Sequence, residues 1–286
     1  MAQATETETR HLPRCWNEYA PLKQVILCPP RFIEIREVIN RTQRHFAKEN
    51  IDRERAEKQH RILVNTLRDF NVEVILLNPD SRFPEQVFTR DIGFTLGPRL
   101  IISRMDEPIR QGEESVLKTS LTKNGIPFTT ISTGNIEGGD VIIDGDTVYI
   151  GDSGRTSINA IEEIRQNLPH MNIVSLSFPE KYLHLDCVFN PLSHREALIY
   201  PPAFSRSDLS RLASRYHLIE VSTEEQFQLG VNVLSIGNRR VLSQPINPMV
   251  NKKLRQHGFS VVEVDLSEII KSGGAFRCCT LPLIRG

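Results

Sequence analysis

The chain has 286 residues, of which 39% are hydrophobic and 24% are charged, and its 35 basic residues balance 35 acidic ones. This composition is that of an ordinary globular protein, and its neutrality provides no field that would attract nucleic acid or an anionic membrane. The length suits one large domain, so we expect residues 1–286 to form a single domain.

The N-terminal stretch MAQATETETRHLPR is polar and lacks the apolar core of a secretion signal. No later stretch approaches the ~18 apolar residues of a membrane span. We therefore predict a cytoplasmic protein in which residues 1–15 form a flexible arm. The five cysteines are an odd number and none belongs to a C-x-x-C pair, which favours reduced thiols over disulfides or structural zinc.

The first predicted elements are a strand and a helix separated by a charged region. The strand is KQVILCPP, and residues 31–50 that follow it are either a lid over a pocket or a solvated charged helix. The stretch RERAEKQHRILVNTLRDF has helical periodicity that places Ile62, Leu63, Leu67 and Phe70 on one face.

The rest of the chain alternates short β-branched strands with helices. Helices are predicted over TSINAIEEIRQNL, SDLSRLASRY and NPMVNKKLRQHG, with a shorter helical start at TEEQFQL. A doubly wound nucleotide-binding fold also alternates strands and helices, but no G-x-G-x-x-G or G-x-x-x-x-G-K-[ST] motif opens a helix here. This competing fold is therefore disfavoured.

Five strands share a pattern in which one polar residue leads into an apolar run. These residues are Asp91, Asp140, Asp186, Asn232 and Cys278, and they are spaced by 49, 46, 46 and 46 positions along the chain. A fixed period in this range is the signature of a repeat or a closed, propeller-like ring. The five residues are then expected around one centre, and the opening strand could complete the last module and close the ring.

The residues near this centre indicate covalent chemistry on a cation. Cysteine with a distant histidine is a nucleophile and acid/base combination, here Cys278 and His184, although a buried cysteine or histidine is as often an inert core residue. Clustered carboxylates raise one another's pKa unless a cation is bound. The spacing H-L-D is weak for a metal site, whereas a planar guanidinium matches carboxylates bidentately.

The motifs FTRD, EGGD, GRTS, HLDCVF and GGAFRCCTLPL resemble those of the guanidine-modifying superfamily, in particular arginine deiminases and dimethylarginine dimethylaminohydrolases. The resemblance spans nearly the whole chain. It implies an α/β fold, a five-bladed, pseudo-symmetric α/β propeller of ββαβ modules called the pentein fold, as a single catalytic domain. It also implies a small-molecule guanidino substrate, with no cofactor and no metal.

The same resemblance implies roles for individual residues. Cys278 would be the nucleophile and His184 the general acid/base. Asp91 and Asp186 would grip the guanidinium, and Glu137 would support that grip and His184. Three further residues are expected to bind substrate: Arg155 at its α-carboxylate, Arg104 assisting Arg155, and Asp140 among the carboxylates of the pocket.

The expected reaction forms a covalent thiouronium on the cysteine, which water then hydrolyses to a ureido product. The Asp of HLD favours a deiminase, whereas the short chain resembles dimethylarginine hydrolases. An arginine dihydrolase, an amidinotransferase and a non-catalytic binding protein on the same fold are the alternatives. The oligomeric state is left open.

Overall fold

The computed structural model describes residues 12–286, and its strands and helices follow the predicted alternation. The strands are β1 Leu22–Leu27, β2 Glu73–Leu76, β3 Gly93–Leu96, β4 Arg99–Ile102, β5 Thr129–Thr130, β6 Val141–Asp144, β7 Thr147–Asp152, β8 Asn172–Ser177, β9 Phe189–Pro191, β10 Glu196–Ile199, β11 His217–Glu220, β12 Leu234–Gly237, β13 Arg240–Ser243, β14 Ser260–Glu263 and β15 Leu281–Arg285. The helices are α1 Arg41–Phe46, α2 Arg53–Asp69, α3 Glu113–Lys123, α4 Ile158–Asn167, α5 Arg206–Ala213, α6 Thr223–Phe227, α7 Pro248–Gln256 and α8 Ser267–Ile270.

Within residues 12–286 these strands form five three-stranded sheets, each with the same connectivity. Two strands pair antiparallel, a helix crosses over, and the third strand pairs parallel with the second, as in β6, β7, α4 and β8. Parallel neighbours require such a crossover. The arrangement is the predicted five-module α/β propeller, which is confirmed.

One sheet is assembled from both ends of the chain. Strand β15 pairs antiparallel with β1, and β1 pairs parallel with β2 across α2. The opening strand therefore completes the last module and closes the ring, as the repeat predicted. Arg14 and Cys15 also form bridges, with Ile284 and Gly97. This part of the predicted arm is held in place, while residues 1–11 of it lie outside the described residues.

The strand that opens each module, which is β15 in the sheet that closes the ring, lies innermost, and the third strand lies outermost. Every residue of β3, β6, β9 and β12 is buried, whereas β2 and β5 have no buried residue. Because each module has the same direction, the residues just before the innermost strands meet at the same end of the ring.

Helix α2 shows where helical periodicity alone was wrong. It is capped by Asp52, whose side chain accepts a hydrogen bond from the backbone N–H of Arg55. Leu63 and Leu67 are buried as predicted, but Ile62 is 45% exposed. The buried face of the helix consists of Ala56, Gln59, His60, Leu63, Val64 and Leu67.

Residues 31–50 are mostly loop, with α1 as their only helix. The side chain of Asn40 caps α1 and also donates to the carbonyl of Ser272 at 3.0 Å. This loop thus contacts the C-terminal segment that carries Cys278. In the described part of the chain no helix combines the length and apolar character needed to cross a bilayer.

Candidate active site

All five residues of the 46-residue period lie at one end of the ring. Asp91, Asp140, Asp186, Asn232 and Cys278 precede β3, β6, β9, β12 and β15, respectively. Each is at most 2% exposed. The equivalent positions predicted from the spacing are therefore equivalent in space as well.

Asn232 holds the predicted nucleophile. Its side-chain amide donates to the Sγ of Cys278 at 3.2 Å, and its Oδ1 accepts from the backbone N–H of Cys278 at 3.3 Å. The same oxygen accepts from the N–H of Arg277 at 3.0 Å. Asn232 therefore fixes both the backbone and the sulfur of Cys278.

Asp186 faces the same sulfur. Both of its carboxylate oxygens lie 3.9 Å from the Sγ of Cys278, and the Nε of Arg277 lies 3.6 Å from its Oδ2. Burial raises the pKa of Asp186, against the opposing charges of Arg277 and His184. A bound cation that contacts both groups would stabilise a buried carboxylate beside a sulfur nucleophile.

His184 lies between two carboxylates. Its Nε2 is 2.8 Å from Glu137 and its Nδ1 is 3.6 Å from Asp91, and all three side chains are buried. Burial disfavours the charged imidazolium, but the charge of Asp91 and the hydrogen bond with Glu137 outweigh it and raise the pKa of His184 to about 10. His184 is therefore an imidazolium near neutral pH, ready to donate a proton.

Two buried arginines approach these carboxylates. Arg155, predicted in the site, lies with its Nη1 3.7 Å from Glu137 and its Nη2 3.0 Å from Glu107. Arg110, which was not predicted, lies with its Nη1 2.7 Å from Asp91 and its Nη2 2.9 Å from Glu113. No motif marked Arg110, although its place shortly before the acidic start of α3 could have suggested an ion pair.

Two predicted substrate-binding residues have different surroundings from those expected. Arg104 is exposed, its guanidinium donates to the carbonyl of Ser132 at 3.1 Å, and its backbone pairs with Ile136, next to Glu137. Asp140 accepts hydrogen bonds from the hydroxyls of Ser153 and Thr156 at 2.6 Å each and from the N–H of Leu185 at 2.9 Å. It therefore positions the segment after His184, because its oxygens are already occupied.

A small pocket joins these groups. It is lined by Asp91, Arg110, Arg155 and Cys278, and by Ile39 and Asn40 of the loop 31–50. The space open to the centre of a water molecule is about 10 Å³, which is room for roughly one water. The carbonyl of Ile39 accepts from Arg155 at 2.6 Å, so the loop forms part of the pocket wall. That the loop acts as a lid stays a prediction.

Two groups of side chains have a spacing that a metal ion could use. Asp91, Glu137 and His184 place ligand atoms within 4.8 Å of one another, and so do Asp186, Cys187 and Cys278. The first group is already joined by a hydrogen bond between His184 and Glu137. The absence of a metal, expected from the sequence, stays a prediction.

The comparison with known families agrees with this geometry. The profile of the family described as "N,N dimethylarginine dimethylhydrolase, eukaryotic" matches residues 29–285. The chain belongs to this family. It is thereby placed, with the arginine deiminases, in the guanidine-modifying superfamily that its motifs resemble, and its family relatives are hydrolases acting on guanidino groups.

Individual relatives of the dimethylarginine hydrolase family match along most of the chain. YkgA of Bacillus subtilis, an uncharacterised protein, is 53% identical over 279 residues, covering 98% of both chains. The N(G),N(G)-dimethylarginine dimethylaminohydrolase of Mycobacterium tuberculosis is 30% identical over 264 residues, covering 91% of this chain and 86% of its own.

A solved structure outside the dimethylarginine hydrolases shows the same fold. The N-terminal domain of ArgZ, a cyanobacterial arginine dihydrolase, superposes with a TM-score of 0.83 at 28% identity, covering 92% of this chain and 98% of that domain. The same domain was also solved covalently bound to a reaction intermediate, at a TM-score of 0.83 and 29% identity.

Proposed function

We propose that this protein is a cysteine-dependent hydrolase of arginine or a methylated arginine, producing citrulline and ammonia or an alkylamine. The observation that carries the proposal is the placement of Cys278, whose sulfur lies 3.9 Å from both carboxylate oxygens of Asp186 and which lines a pocket with Asp91 and both buried arginines. A non-catalytic binding protein would not need an amide donor on the sulfur of a buried cysteine.

The charges of the pocket suit an amino acid with a guanidinium side chain. Asp91 and Asp186 are buried acceptors that can hold a guanidinium by paired hydrogen bonds. Arg155 and Arg110 line the same pocket as Asp91 and can hold a carboxylate. Because Arg110 pairs with Asp91 in the structure, substrate binding requires a rearrangement of this ion pair.

The first half-reaction forms a bond between the Cys278 sulfur and the guanidinium carbon. This carbon is a poor electrophile, so holding it at near-attack distance supplies roughly 7–11 kcal/mol of the barrier. The departing nitrogen takes a proton from the imidazolium of His184 and leaves as ammonia or an alkylamine. A covalent S-alkylthiouronium remains on Cys278, and His184 is neutral.

In the second half-reaction neutral His184 removes a proton from water. The hydroxide oxygen adds to the thiouronium carbon, and the bond from carbon to sulfur breaks. Citrulline leaves with the new oxygen, whose remaining hydroxyl proton passes to solvent, while Cys278 returns as a thiolate and His184 as the imidazolium. Glu137 keeps the ring of His184 oriented in both steps through the bond at 2.8 Å.

An arginine dihydrolase is the second candidate, because the N-terminal domain of ArgZ shares the fold over most of this chain. A dihydrolase removes two ammonias from one arginine, whereas the proposed reaction stops at the ureido product. The product therefore distinguishes the two functions.

The test is mass spectrometry of the products from arginine, monomethylarginine, asymmetric dimethylarginine and agmatine, each with Cys278→Ser as control. We expect a ureido product from at least one α-amino acid substrate and no product from the control. Release of two ammonias from arginine would establish the dihydrolase, and the absence of any product or adduct would support the binding protein.

A matched pair of arginine variants tests the carboxylate assignment. Arg155→Ala should raise KM for arginine substrates without raising it for agmatine, which lacks the carboxylate. Arg104→Ala changes an exposed arginine outside the pocket and should leave both constants near those of the unmodified protein. Equal effects of the two variants would show that Arg155 does not bind the carboxylate.

A further inference from the structure

A second cysteine lies beside the predicted nucleophile without a role in the proposed reaction. Cys187 ends the 3-10 turn Leu185–Cys187, directly after Asp186. Its Sγ, the Sγ of Cys278 and an oxygen of Asp186 all lie within 4.8 Å of one another. The reaction uses one thiol, so the second sulfur calls for another explanation.

We propose that Cys187 and Cys278 form a site of reversible oxidation, in which a peroxide converts the two thiols into a disulfide. The proposal rests on the contact between the two sulfurs, and it holds whichever guanidino compound is the substrate.

The chemistry proceeds in two balanced steps. The sulfur of Cys278 attacks one oxygen of hydrogen peroxide, which breaks the bond between the oxygens and gives a sulfenic acid and water. The sulfur of Cys187 then attacks the sulfenic sulfur, and the hydroxyl leaves as a second water with the proton of Cys187. A dithiol reductant reverses the result by exchange, becoming a disulfide itself.

Asp186 is placed to assist the second step. Its Oδ1 lies 3.5 Å from the Sγ of Cys187, close enough to accept the thiol hydrogen, and 3.9 Å from the Sγ of Cys278. Contact with Cys278 and burial raise the pKa of Cys187 well above its ordinary value. Cys187 thus stays a thiol, and Cys278, which lines the pocket of the site, is the sulfur oxidised first.

The other described cysteines are less suited to pair with Cys278. Cys279 is its neighbour in sequence, and consecutive Cα atoms are only about 3.8 Å apart, below the roughly 4.4–6.8 Å that disulfides span. Cys15 and Cys28 are engaged elsewhere, where their sulfurs point to the carbonyls of Pro282 and Pro29. Cys187 is the partner that the geometry selects.

Cys187 and Cys278 each belong to the wall of a pocket. Cys278 lines the pocket described above, and Cys187 lines an adjacent one. The two pockets share Asn40, Leu183 and Gly273 in their walls. The disulfide would remove the nucleophile and also protect it from irreversible oxidation to the sulfinic acid.

The test treats the native protein with hydrogen peroxide, blocks the remaining thiols after denaturation, and maps the peptides by mass spectrometry. We expect a cross-linked peptide joining Cys187 to Cys278, lighter by two hydrogens than the reduced pair and removed by dithiothreitol. The readout is a mass, so it gives an answer even where the proposed enzyme activity is wrong.

Two variants make the result decisive. Cys187→Ser should give no cross-link and should accumulate sulfenic and sulfinic acid at Cys278, which dithiothreitol does not fully reverse. Cys279→Ser, which changes the other neighbouring thiol, should give the same cross-link as the unmodified protein. A disulfide between other cysteines, or equal sulfinic acid formation with and without Cys187, would overturn the proposal.

Discussion

Gly139 is the position where one added methyl group should disable the site without unfolding the protein. A Cβ at this position would lie 2.7 Å from the Nδ1 of His184 and 2.9 Å from the Oδ1 of Asp91. Ordinary contact begins near 3.4 Å, so Gly139→Ala should push the imidazole away by about 0.7 Å. The EGGD motif therefore contains this glycine because the imidazole and the carboxylate pack directly on the backbone.

We expect Gly139→Ala to lower mainly the rate of the reaction. Misplacing a catalytic group by about 1 Å reduces the rate on the order of a hundredfold, and we expect such a loss in kcat/KM with the substrate found above. Overpacking of a buried position costs about 1–3 kcal/mol of stability, which thermal unfolding of the same sample would measure.

Gly154→Ala is the matched control. A Cβ there would have its nearest neighbour, a carbon of Glu180, at 3.5 Å, and its φ lies outside the left-handed region. This variant should keep the activity and stability of the unmodified protein. Full activity in Gly139→Ala with a folded protein would show that the position of His184 does not limit the reaction, and the reasoning from packing would be refuted.

Two further predictions concern buried charges. Glu137 helps to raise the pKa of His184 to about 10, so the imidazolium is present below that pH and is lost above it. Glu137→Gln should therefore shift the alkaline fall of kcat/KM to lower pH. An unshifted profile would exclude His184 as the acid. Glu18 pairs with Arg90 at 2.8 Å and with Arg277 at 3.1 Å, all buried. Glu18→Gln removes the carboxylate that these two buried guanidinium groups share and should lower the free energy of unfolding in urea by about 3–5 kcal/mol. A loss below about 1 kcal/mol, as for surface pairs, would contradict this.

The ring and its central residues could be predicted because the period along the chain reflects a strand arrangement that every module repeats. Each module begins an innermost strand at the same end of the ring, so Asp91, Asp186 and Cys278 occupy equivalent places although they are far apart in sequence. Closure of the ring could be predicted from the same regularity, because β15 needs two further strands to form a three-stranded sheet and β1 and β2 provide them.

Features outside the repeat could not be predicted in this way. Arg110 lies in the 3-10 turn Pro108–Arg110, away from the five positions that the period marks. In α2 the polar residues Gln59 and His60 face inward, and Gln59 donates to the side chains of Asp265 and Ser267 at 2.9 Å each. Such tertiary partners decide which face of a helix is buried, and a hydrophobic pattern does not contain them.

The residues adjoining the site in sequence explain how a buried ring centre can hold so many carboxylates. Arg90 precedes Asp91 and Arg277 precedes Cys278, and both guanidinium groups bind Glu18. Arg277 also lies 3.6 Å from Asp186, so positive charge from this buried cluster reaches the carboxylate beside the nucleophile. Burial raises the pKa of Asp186, and the charge of Arg277 opposes that rise. The motifs FTRD and FRCC therefore encode a predicted site residue together with an arginine that offsets the buried negative charge around it.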